Sequence, residues 1–216
     1  MANIIGIMGE SGSGKTTSMR NLDPTTTYYI DCDKKGLSWR GWKKQYNQEN
    51  KNYCRTDDQN KVLHLLRGIN EKCPDIKTVV VDTLNGIMVA DEMRRSKEKG
   101  YDKWMDLAFS VYSIIDYALT MRDDITVIFV CHSQTVRDDS GYMFTSIKTN
   151  GQKLSKIGLE TKFPIVLYAK CVDGKYLFET QANFSTAKSP LGMLPEKTVE
   201  NDIAAIMEAI EEYENG

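Results

Sequence analysis

The chain has 216 residues, enough for one well-filled α/β domain. Hydrophobic residues make up 41% and charged residues 27%, an ordinary globular balance. No run approaches the ~18 consecutive apolar residues of a membrane span. The 28 lysines and arginines against 30 carboxylates leave a formal charge of −2. Bulk positive charge is therefore absent, and any nucleic-acid contact must come from a local patch or from an oligomer that aligns several patches.

At the N-terminus, Ile4 to Met8 is too short for the apolar core of a secretion signal and runs straight into a glycine-rich stretch, so a cytosolic protein is the default. The five cysteines (Cys32, Cys54, Cys73, Cys131, Cys171) form no CxxC pair, and two histidines are too few to complete a zinc site with them. Reduced, packed thiols are expected.

Apolar runs alternate with longer amphipathic stretches, the pattern of an α/β fold with a central, mostly parallel sheet. Asn3 to Met8 reads as a buried strand, followed by a glycine loop and a helix from Lys15 to about Asn21. Thr27 to Cys32 is a second strand, and Lys34 to Tyr53, with Trp39 and Trp42, fits no single element. Asn60 to Glu71 has helical spacing and Pro74 stops it. Thr78 to Val81 is a β-branched strand ending in Asp82, and helices are expected over Leu84 to Lys97 and Lys103 to Met121. Ile125 to Cys131 is another buried strand, ending at His132. Ser133 to Ser155 is polar, holds Gly141 and Gly151, and reads as a mobile loop. Phe163 to Cys171 and Lys175 to Thr180 read as a β-hairpin turned by Asp173-Gly174, and a helix over Val199 to Tyr213 closes the chain. No repeat or linker divides the sequence, so one domain over 1–216 is expected.

Gly9-Glu10-Ser11-Gly12-Ser13-Gly14-Lys15-Thr16 is a full match to the phosphate-binding loop G-x-x-x-x-G-K-[ST], with Thr17 beside it. The glycines let backbone N–H groups converge on phosphate oxygens. Lys15 is suited to neutralise the β- and γ-phosphates, and the Thr16 hydroxyl to ligate Mg²⁺. A strand before the motif and a helix after it supply the context that phosphate binding needs. These residues call for ATP with Mg²⁺ as cofactor. Thr78-Val79-Val80-Val81-Asp82 has the Walker B form, an apolar strand ending in a carboxylate that holds the metal ion. Read by itself, Asp82 would equally serve as a helix N-cap.

Hydrolysis also requires a group that polarises the attacking water. Thr83, not Glu, follows Asp82, so the group must come from elsewhere. Ile30-Asp31-Cys32-Asp33 ends the second strand, and there the chain resembles the RecA-like ATPases, whose second strand ends in Ile-Asp-x-Glu with the final carboxylate as base. The resemblance implies Asp33 as that base, one methylene shorter than usual. Asp31 and Asp33 would alternatively make a turn. The resemblance also implies a γ-phosphate sensor at the end of the Val127–Cys131 strand, where His132, Ser133 and Gln134 stand, with a structural histidine as the plainer reading.

In size and motif style the chain resembles the minimal RecA-like ATPases of bacteriophages, the AAA-domain or Sak-type single-strand annealing proteins. That resemblance implies a three-layer fold and ATP-linked binding or annealing of single-stranded DNA in phage recombination or replication. It also implies residence in the host cytoplasm and a ring or filament of copies. Arg137, Lys148, Lys153, Lys156, Lys162 and Lys188 are then available for DNA or for a neighbour's ATP, or are solvated surface. Tyr142 and Phe144 could stack on bases. Trp39 and Trp42, interleaved with Arg40, Lys43 and Lys44, form a second aromatic and basic group that reads equally as core or subunit interface. A small-molecule kinase would need an arginine-rich lid, for which Arg94-Arg95 with Lys97 and Lys99 stand, and a GTPase would need an Asn-Lys-x-Asp motif, which does not occur. A nucleotide-dependent assembly protein that hydrolyses little is the remaining alternative.

Overall fold

The computed structural model describes residues 2–150 and 158–216. Its centre is a set of parallel strands. β1 (Asn3–Gly9) lies between β5 (Thr126–Arg137) and β7 (Ile165–Val172), all three parallel. β4 (Thr78–Asp82) flanks β5 on the far side, followed by β2 (Thr27–Asp31) and the edge strand β3 (Tyr53–Arg55). Beyond β7 the sheet turns antiparallel through β8 (Lys175–Glu179) and β9 (Thr198–Glu200). The order is β3-β2-β4-β5-β1-β7-β8-β9, with β6 (Met143–Ile147) hung from β5. This is a three-layer α/β fold with a central, mostly parallel sheet.

Both faces of the sheet are covered, which is why its central strands read as unbroken apolar runs rather than alternating ones. Alternate residues point to opposite sides. Ile4, Met8, Val79, Val81, Val127 and Phe129 pack under three helices: α2 (Gln59–Lys72), α3 (Leu84–Arg94) and α4 (Tyr101–Leu119). Ile5, Ile7, Val80, Ile128 and Val130 face the other way, toward the last helix, α5 (Ile203–Asn215), and the segment holding Leu37 and Tyr46. Helix starts follow capping chemistry: the Asp58 carboxylate accepts from Asn60 and Lys61 N–H, and Asp202 from Ala204 N–H. No helix of the described residues is long and apolar enough to cross a membrane.

Three expectations need correction, and one open stretch resolves. The helix after the glycine loop is only a 3₁₀ turn, Thr17–Met19. Thr16, Thr17 and Ser18 are poor helix formers, the Ser18 hydroxyl takes the Lys15 carbonyl at 2.6 Å, and Pro24 ends the segment. The stretch beginning at Ser133 is not a loop: β5 runs on to Arg137 and pairs antiparallel with β6, around a turn in which the Asp138 carboxylate accepts from Ser140 and Tyr142 N–H. The remainder of that stretch, Gly151 to Ser155, lies outside the described residues. Lys34 to Tyr53 contains a short helix, α1 (Trp42–Gln45), and leads into β3. The final helix starts at Ile203, after β9, rather than at Val199.

The Asp173-Gly174 hairpin is as expected. Both residues have positive φ, 50° and 76°, as a tight two-residue turn requires.

Candidate active site

β1 delivers the glycine loop to the carboxyl edge of the sheet, with β5 and β7 on either side. Lys15 is buried and folds back on the loop, its Nζ donating to the carbonyls of Gly9 at 2.8 Å and Glu10 at 2.6 Å. Burial lowers its pKa, and the nearby Asp82 pulls it back up. Gly14 is held at φ +90°, and a Cβ there would lie 2.8 Å from the Tyr176 ring and 3.1 Å from Asn201 Oδ1. Only glycine fits, because β8 and the residue after β9 press directly on the loop. Ser11, Gly12, Gly14, Lys15, Thr16 and Thr17 line one side of a cleft of about 380 Å³. Glu10 and Ser13 turn toward a second cavity beside β7.

The Thr16 hydroxyl donates to Asp82 Oδ2 at 2.8 Å, and Tyr29 Oη donates to the same oxygen at 2.6 Å. Asp82 Oδ1 is buried with no hydrogen-bond partner. Burial pushes this carboxyl above its ordinary range, against the hydrogen bonds from Tyr29 and Thr16. A bare, buried carboxylate oxygen beside a threonine hydroxyl is an all-oxygen donor set of the kind a hard divalent cation takes, so these residues fit Mg²⁺.

Asp33 stands at the end of β2, next to the same cleft. Its Oδ1 accepts from the Thr83 hydroxyl at 2.8 Å and its Oδ2 from Lys35 Nζ at 2.6 Å. Burial pushes Asp33 up, but the hydrogen bonds from Lys35 and Thr83 outweigh it and hold the carboxyl below its ordinary range. Thr83 also caps α3, accepting from Gly86 N–H at 3.1 Å. A Cβ on Gly86 would sit 2.6 Å from Asp33 Oδ1, so the first turn of α3 rests against this carboxylate.

His132 lines the cleft as well. Burial depresses its pKa, and Lys15 depresses it further, so the ring is neutral at pH 7. Asn85 fixes the backbone on either side: its Oδ1 accepts from His132 N–H at 2.7 Å, and its Nδ2 donates to the Lys148 carbonyl at 2.9 Å. Gln134 and Ser133 are not brought to the cleft lining. Gln134 faces a different cavity beneath the β5–β6 hairpin, and the Ser133 hydroxyl is buried without a partner.

The other basic residues scatter. Arg137 donates to the Gly141 carbonyl within its own hairpin, and Lys162 pairs with Asp116. Lys188 sits in a bridge to Val166, while Lys153 and Lys156 lie outside the described residues. Arg94 and Arg95 are engaged by Asp57, Glu98 and Asp106 on the surface and do not line the cleft. Sequence reasoning missed Tyr29, Lys35, Ser38, Thr83, Asn85 and Tyr176. Thr83, directly after the Walker B aspartate, and Lys35, two residues after Asp33, carried a local signal. The other four acquire their place only from strand pairing and chain crossing.

The sequence profile of the AAA domain family matches residues 1–191. No curated protein matches the chain. Among solved structures, a KaiC-like protein from the hyperthermophilic archaeon Pyrococcus horikoshii OT3 aligns over 82% of this chain and 76% of its own, at 12% identity and a TM-score of 0.47.

Proposed function

The chain belongs to the AAA domain family, and from that premise we propose that it binds ATP with Mg²⁺ in the cleft above β1, β4 and β5 and hydrolyses it. We further propose that the cycle serves single-stranded DNA, handled by a ring or filament of copies of this chain. The observation that carries the nucleotide reading is the 2.8 Å hydrogen bond between Thr16 and Asp82, which joins two motifs 66 residues apart and leaves one buried carboxylate oxygen bare beside them.

In this reading Thr16 and Asp82 hold the metal ion, which when bound offsets the negative charge of the phosphate oxygens. Lys15 exchanges the carbonyls of Gly9 and Glu10 for phosphate oxygens. Loop N–H groups from Glu10 to Thr17 orient the triphosphate. Asp33, kept ionised by Lys35 and Thr83, accepts a hydrogen bond from the attacking water and draws off its proton. The neutral His132 ring donates to the γ-phosphate and reports its loss along β5 toward Gln134 and the β5–β6 hairpin.

The test is ATP turnover by the purified protein, with and without single-stranded DNA, at low and moderate salt. Stimulation that weakens as salt rises is expected. Lys15→Ala should lose nucleotide binding, whereas Asp33→Asn should bind ATP and fail to turn it over. Turnover retained in Asp33→Asn would move the base elsewhere, and indifference to DNA would remove the DNA half of the proposal. One observation favours a second reading, a nucleotide-dependent assembly protein with little hydrolysis: both Asp33 oxygens are already engaged, by Lys35 and by Thr83.

A further inference from the structure

At the β3 edge of the sheet lies a further cavity, of about 390 Å³, within the range of small-ligand clefts. Its walls combine two chemistries. Trp42 and Tyr53 present rings 5.5 Å apart, both half-buried. Around them stand Lys43, Arg55 and Lys61, with Lys43 Nζ 5.9 Å from the Trp42 ring and the Arg55 guanidinium 5.6 Å from the Tyr53 ring. No carboxylate lines the cavity among the described residues, and neither Lys43 nor Lys61 forms an ion pair there. Asn47 adds an amide. Arg55 is ion-paired with Asp31 at 3.7 Å, so in a chain with a formal charge of −2 the pocket offers one shared arginine and, among the described residues, two lysines without an ion pair over an aromatic floor.

We propose that this edge cavity is a binding site for a single strand of nucleic acid, with a base against Trp42 and Tyr53 and phosphates on Lys43, Arg55 and Lys61. Flat rings take any base, while lysine and arginine at the rim follow the backbone, the pairing that sequence-tolerant strand binding uses. The proposal rests on the DNA reading above and gives it a surface. The alternative platform, the exposed rings of Tyr142 and Phe184 with the half-buried Phe144 beside the β5–β6 hairpin, is aromatic but carries Asp138 and Asp139 at its turn, which repel a phosphate backbone.

The edge also has a short physical route to the nucleotide cleft. Tyr53 Oη donates to Asp31 Oδ2 at 2.7 Å, and the same oxygen accepts Gly36 N–H at 2.8 Å. A strand seated on Tyr53 thus lies two hydrogen bonds from the turn that carries Asp33 and Lys35.

The experiment is fluorescence anisotropy of a dye-labelled oligo-dT with the full chain, with a non-hydrolysable ATP analogue and Mg²⁺, across a salt series. Lys43→Glu/Lys61→Glu should weaken binding about tenfold or more at low salt and flatten the salt slope by about 1.4, the loss of two single-strand phosphate contacts. The double variant should bind the ATP analogue as the wild type does, which shows that it is folded. Tyr142→Ala/Phe144→Ala should bind oligo-dT normally. The proposal is overturned if the lysine pair leaves affinity unchanged, or if the hairpin variant is the one that loses it. A shift in oligomer mass with DNA affinity intact would reassign the edge to contact between copies. Wild-type protein that binds the ATP analogue but no oligonucleotide would remove the DNA reading itself along with this site.

Discussion

Asp82 is a buried carboxyl at the end of an apolar strand, with one oxygen left without a hydrogen-bond partner. Its folded pKa lies above its unfolded value, so in the ligand-free protein its contribution to stability is best below the ordinary aspartate range and declines as pH rises toward the folded pKa. Asp82→Asn removes that titration while keeping the hydrogen bonds from Thr16 and Tyr29. We expect ligand-free Asp82→Asn to melt about 3 °C higher than wild type at neutral pH and to lose any stabilisation by Mg²⁺-ATP, measured by differential scanning fluorimetry. A lower melting point at every pH would mean the buried charge is itself a structural tie. Lys15 and Thr16 were legible in the sequence because a phosphate loop fixes residue type and spacing together, and Asp82 because it ends an apolar β-branched strand in the same chain as that loop. Tyr29 and Asn85 were not, since a tyrosine in a strand and an asparagine in a helix carry no mark of function until the chain folds them onto Asp82 and His132.

Among the elements, the central strands announced themselves through β-branched and apolar runs, as Thr78–Asp82 and Thr126–Cys131 show. What escaped were pieces whose burial is one-sided or absent. The outer half of β5 (Ser133–Arg137) leaves the covered sheet and pairs with β6 alone, so its polar residues resemble a loop. β3 and β9 are three residues each, too short to show a period. The junction of β2 with α3 makes a prediction at this scale. Gly86→Ala places a methyl group 2.6 Å from Asp33 Oδ1 and 2.8 Å from the Cys32 carbonyl, so the start of α3 must move away from β2. Turnover should fall at least about tenfold while the KM for ATP changes little, because the phosphate loop is untouched and only Asp33, the proposed water-polarising carboxylate, shifts. An unchanged kcat would separate Asp33 from the chemistry.

For the molecule as a whole, the sheet is a rigid partition with one apolar core on each face, and the nucleotide cleft opens at the end where both cores stop. Ligand that binds only the folded state stabilises all of it by mass action, by about 2.7 kcal/mol at a hundred times Kd. Mg²⁺ with an ATP analogue should therefore raise the melting temperature of the wild type by about 5–10 °C and leave Lys15→Ala where it was. A matching rise in Lys15→Ala would locate the nucleotide elsewhere. The segment after β9 reaches back to the phosphate loop. Arg20, just past the phosphate loop, donates to the Asn201 carbonyl at 2.7 Å across 181 residues of sequence, and the Asn201 side chain abuts Gly14. Asp202, the next residue, caps α5. Filling the loop with phosphate thus bears on the start of the last helix, and a spectroscopic label on the outer face of α5 becomes a remote reporter of nucleotide occupancy that never enters the site it reads.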